Sequence, residues 1–325
     1  MAHEVETMAY AYDSKSKDSA YQHPWHKFDT GLKSVPVNAD MSPADMLKKA
    51  GLDWTLERAS SFIEVDGEQI PTGKDVLYRS TDNKIMTHVS EGWHEVQNSV
   101  FADFFSEFCA EGSMEMNTMG SLREGKRVFA LARVKDAEFS LFRGKDVVEP
   151  YFLFSNPHEY GQCLDLRFVC TRVVCMNTFV AAMNENSKLG VRLNHRSAFE
   201  PDLVKEMLEI SKSHMSSYKE AAEFLSKKKF SVENLKEYYQ TVFPSSAKDE
   251  EKLSRPGKLA NAALETQPGA EFGEGTWWSA YNSVTYTVDH LIGRTSDNRM
   301  NNAWFGGGRK KKIEALDLAL EYADA

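Results

Sequence analysis

The chain has 325 residues, 42% hydrophobic and 11% aromatic, the composition of a globular protein with a sizeable core rather than a disordered one. No apolar run approaches the ~18 residues of a membrane span, and a net charge of −9 disfavours indiscriminate polyanion binding by the whole surface. The first residues are polar and acidic without the apolar stretch of a secretory signal, so a soluble cytoplasmic protein, with no membrane partner, is expected.

In chain order, residues 1–30 read as a weakly ordered segment containing the polar run Ser14-Lys15-Ser16-Lys17-Asp18-Ser19. Ser42 before Pro43 predicts a short helix, with serine as N-cap and proline at its first position. Strands are predicted over 54–65, 76–79, 84–89, 114–120, 127–134, 151–154 and 166–174, with Asp66-Gly67 and Asp82-Asn83 as turns between neighbours. One helix interrupts them at 98–110, where Val100, Phe101, Phe104, Phe105 and Phe108 form an apolar stripe that would cover a face of the sheet. After Cys175 the pattern turns helical. Asn177 would cap a helix to about residue 186, and Leu203, Met207, Ile210, His214, Tyr218, Ala221 and Leu225 recur at helical spacing. Ser231 opens a further helix stopped by Pro244. Residues 244–275, rich in Ser, Lys, Glu, Pro and Gly, read as a linker. Helices follow around Trp277–Leu291 and on Ile313, Leu316 and Leu320. The expected architecture is α+β: an antiparallel sheet with a covering helix over 31–198, a helical region over 199–243, the linker, and a helical region over 276–325.

The stretch Arg167-Phe168-Val169-Cys170-Thr171-Arg172 carries the sharpest chemical signal. Alternation puts Phe168, Cys170 and Arg172 on one face, and Arg167, Val169 and Thr171 on the other, so each face of a core strand holds a cation. A buried cation needs a partner, which is either an internal carboxylate or the anion of a ligand. Between residues 166 and 196, Arg167, Arg172, Lys188, Arg192 and Arg196 stand against Glu185 alone. Between 294 and 312, Arg294, Arg299, Arg309, Lys310, Lys311 and Lys312 stand against Asp297, around Trp304, Phe305 and the Gly306-Gly307-Gly308 turn. Glycines ahead of a helix N-terminus offer backbone N–H groups to a phosphate, and aromatics among cations suit single-strand binding. Taken singly, such runs are more often solvated helix faces, and buried tryptophans more often core.

Cys109, Cys163, Cys170 and Cys175 include no Cys-x-x-Cys pair and read as reduced thiols; alternation sends Cys170 and Cys175 to opposite faces, against a zinc site built from His158, Cys163, Cys170 and Cys175. Trp93-His94-Glu95 and His158-Glu159 offer acid–base pairs without a nucleophile motif. Neither a metal nor another cofactor is called for, and no enzyme activity is expected.

Arg172-Val173-Val174-Cys175-Met176-Asn177-Thr178 resembles the signature of the phage/plasmid-like domain-of-unknown-function family 932, found mainly in bacteriophages and plasmids. Met1-Ala2-His3-Glu4-Val5-Glu6 is similar to the family's opening, Pro24-Trp25-His26 to its Pro-Trp-His element, and Gly125–Arg133 to its central strand. Trp278-Ser279-Ala280-Tyr281-Asn282-Ser283-Val284-Thr285, Asp289-His290 and Trp304-Phe305-Gly306 are similar to its C-terminal part. Lys27-Phe28-Asp29 replaces the Gly-Leu-Gly that often follows Pro-Trp-His. The resemblance implies a phage or plasmid setting, and with the two basic clusters it favours a homo-oligomeric protein that binds or anneals single-stranded DNA in recombination or replication. Annealing proteins share the coarse layout of a hairpin-rich sheet, a crossing helix and a helical tail, an analogy of fold alone. Arg127, Arg133, Arg167, Arg172, Arg192 and Arg196 are the expected phosphate contacts, with Lys310, Lys311, Lys312 and Trp304 as an auxiliary patch. The alternatives are a protein-interaction factor acting on a host component and a metal-dependent hydrolase.

Overall fold

A computed structural model describes residues 7–11, 33–38, 40–174, 177–180, 190–196, 215–245 and 252–325. Strands β1 (Thr7–Ala11) and β2 (Lys33–Val37) precede α1 (Pro43–Lys49). A three-stranded antiparallel sheet follows, β3 (Leu56–Val65), β4 (Glu68–Arg79) and β5 (Ile85–Val89), and then α2 (Ser99–Ala110). The main sheet continues with β6 (Met114–Leu122), β7 (Arg127–Val134), β8 (Phe139–Leu141), β9 (Asp146–Pro157), β10 (Leu164–Arg172), β11 (Asn177–Val180) and β12 (Gly190–Leu193). Its order is β11-β10-β9-β7-β6-β1-β2, with β12 also on β10 and β8 on β9; all pairs are antiparallel except β1 with β2. The C-terminal half is helical: α3 (described over 215–227), α4 (Val232–Val242), α5 (Arg255–Thr266), α6 (Trp277–Tyr286), a π-helical turn (Thr287–Leu291), α7 (Ser296–Phe305) and α8 (Gly307–Asp324).

Strand alternation divides the core in two. On β7, Val128, Ala130 and Ala132 join Phe152, Phe154, Leu166 and Phe168 beneath α1 and α2, where Phe104 meets Phe152 and Phe154 at 5.8 and 5.4 Å between ring centroids. Phe129, Leu131, Leu153 and Val169 face the other way, into a core shared with Tyr238, Trp277, Trp278, Tyr281, Trp304 and Leu316 of the helical half. The sheet is therefore covered on both faces, which is why β7, β9 and β10 are buried nearly throughout. The expected α+β class and covering helix hold. Ser42 accepts from Asp45 N as the N-cap of α1, and Ser231 from Asn234 N as the N-cap of α4.

Several expectations need correction. Asn177 opens β11, paired with Arg172 across the ladder, and does not cap a helix; its side-chain Nδ2 donates to Asn282 O and Thr285 Oγ1, so α6 satisfies it. Residues 181–186 and 203–214, read as helical, lie outside the described residues, as do Trp25, His26, Cys175 and Lys188. The segment expected to be weakly ordered contains β1, whose Ala9 is fully buried between β2 and β6. The expected linker contains α5: its proline sits in the first turn, where no N–H is needed, Ser254 caps it, and Ala260 and Ala263 are buried. Helix α7 lies within the region expected to be helical but was not singled out, because its apolar stripe is only Met300, Ala303 and Trp304 at its end.

Candidate anion-binding site

The face of β10 turned toward the helical half carries Asp165 and Arg167, two residues apart. Antiparallel pairing sets Arg192 of β12 directly opposite Asp165. Arg127, the first residue of β7, lies one strand beyond β9, and its Nη1 donates to Ser155 Oγ at 2.9 Å and its Nη2 to Gln162 Oε1 at 3.2 Å. From above, the corner between α7 and α8 supplies Trp304, Phe305 and Arg309. Arg167 Nη2 donates to Trp304 O at 2.5 Å, which satisfies an orphan carbonyl in the last turn of α7. The Phe305 ring packs against both sheet cations from the helical side, 4.3 Å from the Arg127 guanidinium carbon and 5.3 Å from that of Arg167.

Among the described residues, Asp165 is the one carboxylate within ion-pair distance of this group: Arg167 Nη1 lies 3.1 Å away, Arg309 Nη1 3.6 Å and Arg192 Nη2 4.0 Å. With Arg127, four guanidiniums surround Asp165; Glu159 also acts on Arg127 but is paired with Arg123 and Lys126. Arg127 and Arg167 are buried, at 5% and 1% exposure. Arg127 Nε, Arg167 Nε and Nη1, and Arg309 Nε are buried without a hydrogen-bond partner in the protein; Arg167 Nη1 is near Asp165 but off its hydrogen-bonding line. Burial pushes Arg127 down to about 10 and Arg167 down to about 9, against the pull of Asp165 and with the help of neighbouring arginines; burial also lowers Arg309. These are the marks of crowded, desolvated cations whose counter-charge is incomplete. Arg192, with 64% of its side chain exposed, and Arg309, with 20%, form the solvent-facing rim.

Of the expected phosphate contacts, Arg127, Arg167 and Arg192 come together here. Arg172 does not: its Nε donates to both oxygens of Asp146 and its Nη2 to Gly269 O, and Asp146 also accepts from Trp278 Nε1. Arg133 is bound to Glu115 at 2.6 Å, with Glu149 at 3.7 Å. Lys312 is buried against Asp289 at 2.7 Å, and burial lowers its pKa. Lys311 donates to Val242 O, the end of α4, at 2.5 Å. Arg196 and Lys310 are exposed. Trp304 is a core residue, edge-to-face with Phe129, and not a stacking platform. The glycines before α8 are also less open than expected, since Gly308 N donates to Asn302 Oδ1 and Arg309 N to Gly306 O. The residues missed were Asp165, Phe305 and the individual importance of Arg309. Asp165 was legible, two positions before Arg167 on the same strand face.

The histidines form a separate group beneath α2. His158 Nε2 donates to Asn98 Oδ1, while His195 stacks on Trp93 at 4.2 Å with its Nδ1 on His94 O. Among the described residues no group of three or more His, Cys, Asp or Glu could hold a metal ion, and no helix is long and apolar enough to cross a membrane.

Among the described residues, segments that carried the family resemblance meet in space. Arg172 meets Trp278 through Asp146, Asn177 meets Asn282 and Thr285, and Phe129 meets Trp304. Fold and site together define an α+β protein whose helical half is locked onto its sheet by buried polar contacts, with a surplus of cations at one corner. The family described as Domain of unknown function (DUF932) matches residues 85–304, and the chain belongs to it. No curated protein and no solved structure matches the chain.

Proposed function

We propose that this protein binds nucleic acid through its phosphates, single-stranded DNA being the form taken, in recombination or replication in the phage or plasmid setting that the resemblance implies. One observation carries the reading: four guanidiniums around Asp165, with four buried N–H groups lacking partners, in a chain whose net charge is −9. Such a site attracts phosphate oxygens because charge-assisted hydrogen bonds offset the desolvation already incurred. A thin, flexible strand reaches recessed donors more readily than the stiff backbone of a duplex. The contacts are fewer than a continuous track would make, since Arg133, Arg172 and Lys312 are held by internal acids. The test is fluorescence anisotropy with a labelled single-stranded oligonucleotide at low salt. Arg192→Ala and Arg309→Ala should each weaken binding about tenfold, the loss of one charged hydrogen-bonding group. Arg133→Ala should leave it unchanged. Absence of binding by the unmodified protein at low salt would refute the reading.

Protein interaction is favoured by a different feature. The β3–β4 hairpin is exposed throughout residues 62–74 and presents Phe62, Ile63, Val65 and Ile70, each 45% exposed or more. An apolar hairpin arm of this kind suits self-association, the occupant being a second copy of the chain. Phe62→Ser with Ile63→Ser should lower the mass seen by native mass spectrometry; an unchanged mass excludes the arm from assembly.

A further inference from the structure

We infer that the arginine cluster recognises a terminal phosphate monoester of a nucleic-acid strand rather than a phosphodiester within it. This rests on the nucleic-acid reading and narrows it. The reason lies in how the charge is placed. Arg127 and Arg167 are 5% and 1% exposed, and the rim above them is formed by Arg192 and Arg309. An internal phosphodiester carries one negative charge and a sugar on each side, so it meets the rim but cannot enter past it. A terminal monoester carries a charge of about −1.5 to −2 near neutral pH and three free acceptor oxygens, and has a substituent on one side only. Its charge matches the imbalance of four guanidiniums against Asp165 far better than a diester does. Its oxygens are also sufficient to accept from the partnerless groups Arg127 Nε, Arg167 Nε and Nη1, and Arg309 Nε.

The fold adds two features that favour this use. Arg309 lies in the first turn of α8, an 18-residue helix whose N-terminal dipole points its positive end at the same corner. Phe305, half-buried against Arg127 and Arg167 from the helical side, gives the site an apolar wall and holds both guanidinium groups in place. The cluster is thus preorganised for a compact anion of high charge, whereas a backbone track would spread its cations along a surface.

The experiment is a competition for the labelled strand using the full chain and unlabelled oligonucleotides of one sequence that differ only at their ends. One bears a 5′-phosphate, one a 3′-phosphate, and one hydroxyls at both ends; inorganic phosphate is a fourth competitor. One of the phosphorylated strands should compete about tenfold better than the hydroxyl-ended strand, and this comparison also tells which end is read. Arg309→Ala and Arg192→Ala, both on the rim, should abolish the preference while leaving thermal unfolding of the chain unchanged. Equal competition by all three strands would overturn the inference and leave general phosphate binding standing. Failure of every strand to bind would remove both. Inorganic phosphate displacing the strand as well as the phosphorylated oligonucleotide does, at equal concentration, would also overturn it, because the ligand would then be free phosphate and not a strand end.

Discussion

Asp146 accepts from Arg172 Nε and from the indole Nε1 of Trp278, and all three side chains are buried, so removing the carboxylate strands a guanidinium and an indole N–H together. Asp146→Ala should therefore lose about 3–5 kcal/mol of stability, measured by urea unfolding at unchanged m-value. Pairing it with Arg172→Met should recover part of that loss, because the uncompensated cation is gone. A loss below about 1 kcal/mol in the single variant would show that the pair is not the anchor described here. His158 supplies a pH dependence. Burial, with His195 and Arg127 nearby, pushes its imidazole from 6.5 down to about 3, so the folded chain resists a proton that the unfolded chain accepts. Its contribution is fully present above 6.5 and diminishes as the pH falls toward 3, with a limiting slope of about 1.4 kcal/mol per pH unit. His158→Gln should flatten the stability profile between these values; an unaltered slope assigns the acid sensitivity elsewhere. Alternation sends Arg167 and Arg172 to opposite faces, yet toward the strand's end Cys170 joins the core of the helical half and Arg172 meets Asp146 and Gly269 there, as Arg167 meets Trp304. That each cation needed an anion was readable from β10 alone. Which anion was not, for Asp146 and Gly269 are far from Arg172 in sequence and only the folded sheet brings them to it.

Gly308 stands in the first turn of α8, where a Cβ would lie 2.9 Å from Val288 Cγ1, 3.0 Å from Asn302 O and 3.1 Å from Ala303 Cα. Alanine ordinarily gains roughly 1 kcal/mol over glycine within a helix. Here the close packing of α8 on α7 and the π-helical turn should reverse the sign, so Gly308→Ala is expected to destabilise by about 1–3 kcal/mol in a denaturant titration. A stabilised variant would mean that the corner relaxes freely. The glycine triplet is thus a packing device as well as the start of a helix, and the sequence pattern showed only the latter. The apolar stripe of α2 was legible from its period, and β7 from its apolar run between charged ends. The distal half of β4 was not, since residues 62–74 are exposed on both faces, leaving no alternation, and Pro71 and Gly73 suggest a loop. The Asp66-Gly67 turn was legible because it needs left-handed residues at both central positions, and they adopt φ of 53° and 84°. β11, β12 and β8 are three or four residues long, too short for period to distinguish strand from helix.

Over the whole molecule, a sheet covered on both faces leaves few places where a cation can be both ordered and accessible. Several of the cations that the sequence put forward are divided by the sheet and held by internal acids: Arg133 by Glu115, Arg172 by Asp146, Lys312 by Asp289. The run around β10 looked more basic than it is, because Asp165 lies one residue before its first counted position. What remains is one corner where Arg127, Arg167, Arg192 and Arg309 oppose Asp165, set in a surface that otherwise repels polyanions. This distribution fixes the salt dependence of DNA binding. A track of nine cations would give a slope of log K on log salt of about −6 for a single strand, at about −0.7 per phosphate neutralised. The corner, with about three uncompensated charges, should give about −2. On a fourfold rise in salt, affinity should then fall about 15-fold, against more than about 1,000-fold for the track. Anisotropy titrations at four or five salt concentrations separate the two. A steep slope would mean that exposed cations beyond this corner, such as Arg196 and Lys310, join the contact, and a flat one would remove phosphate from the binding energy altogether.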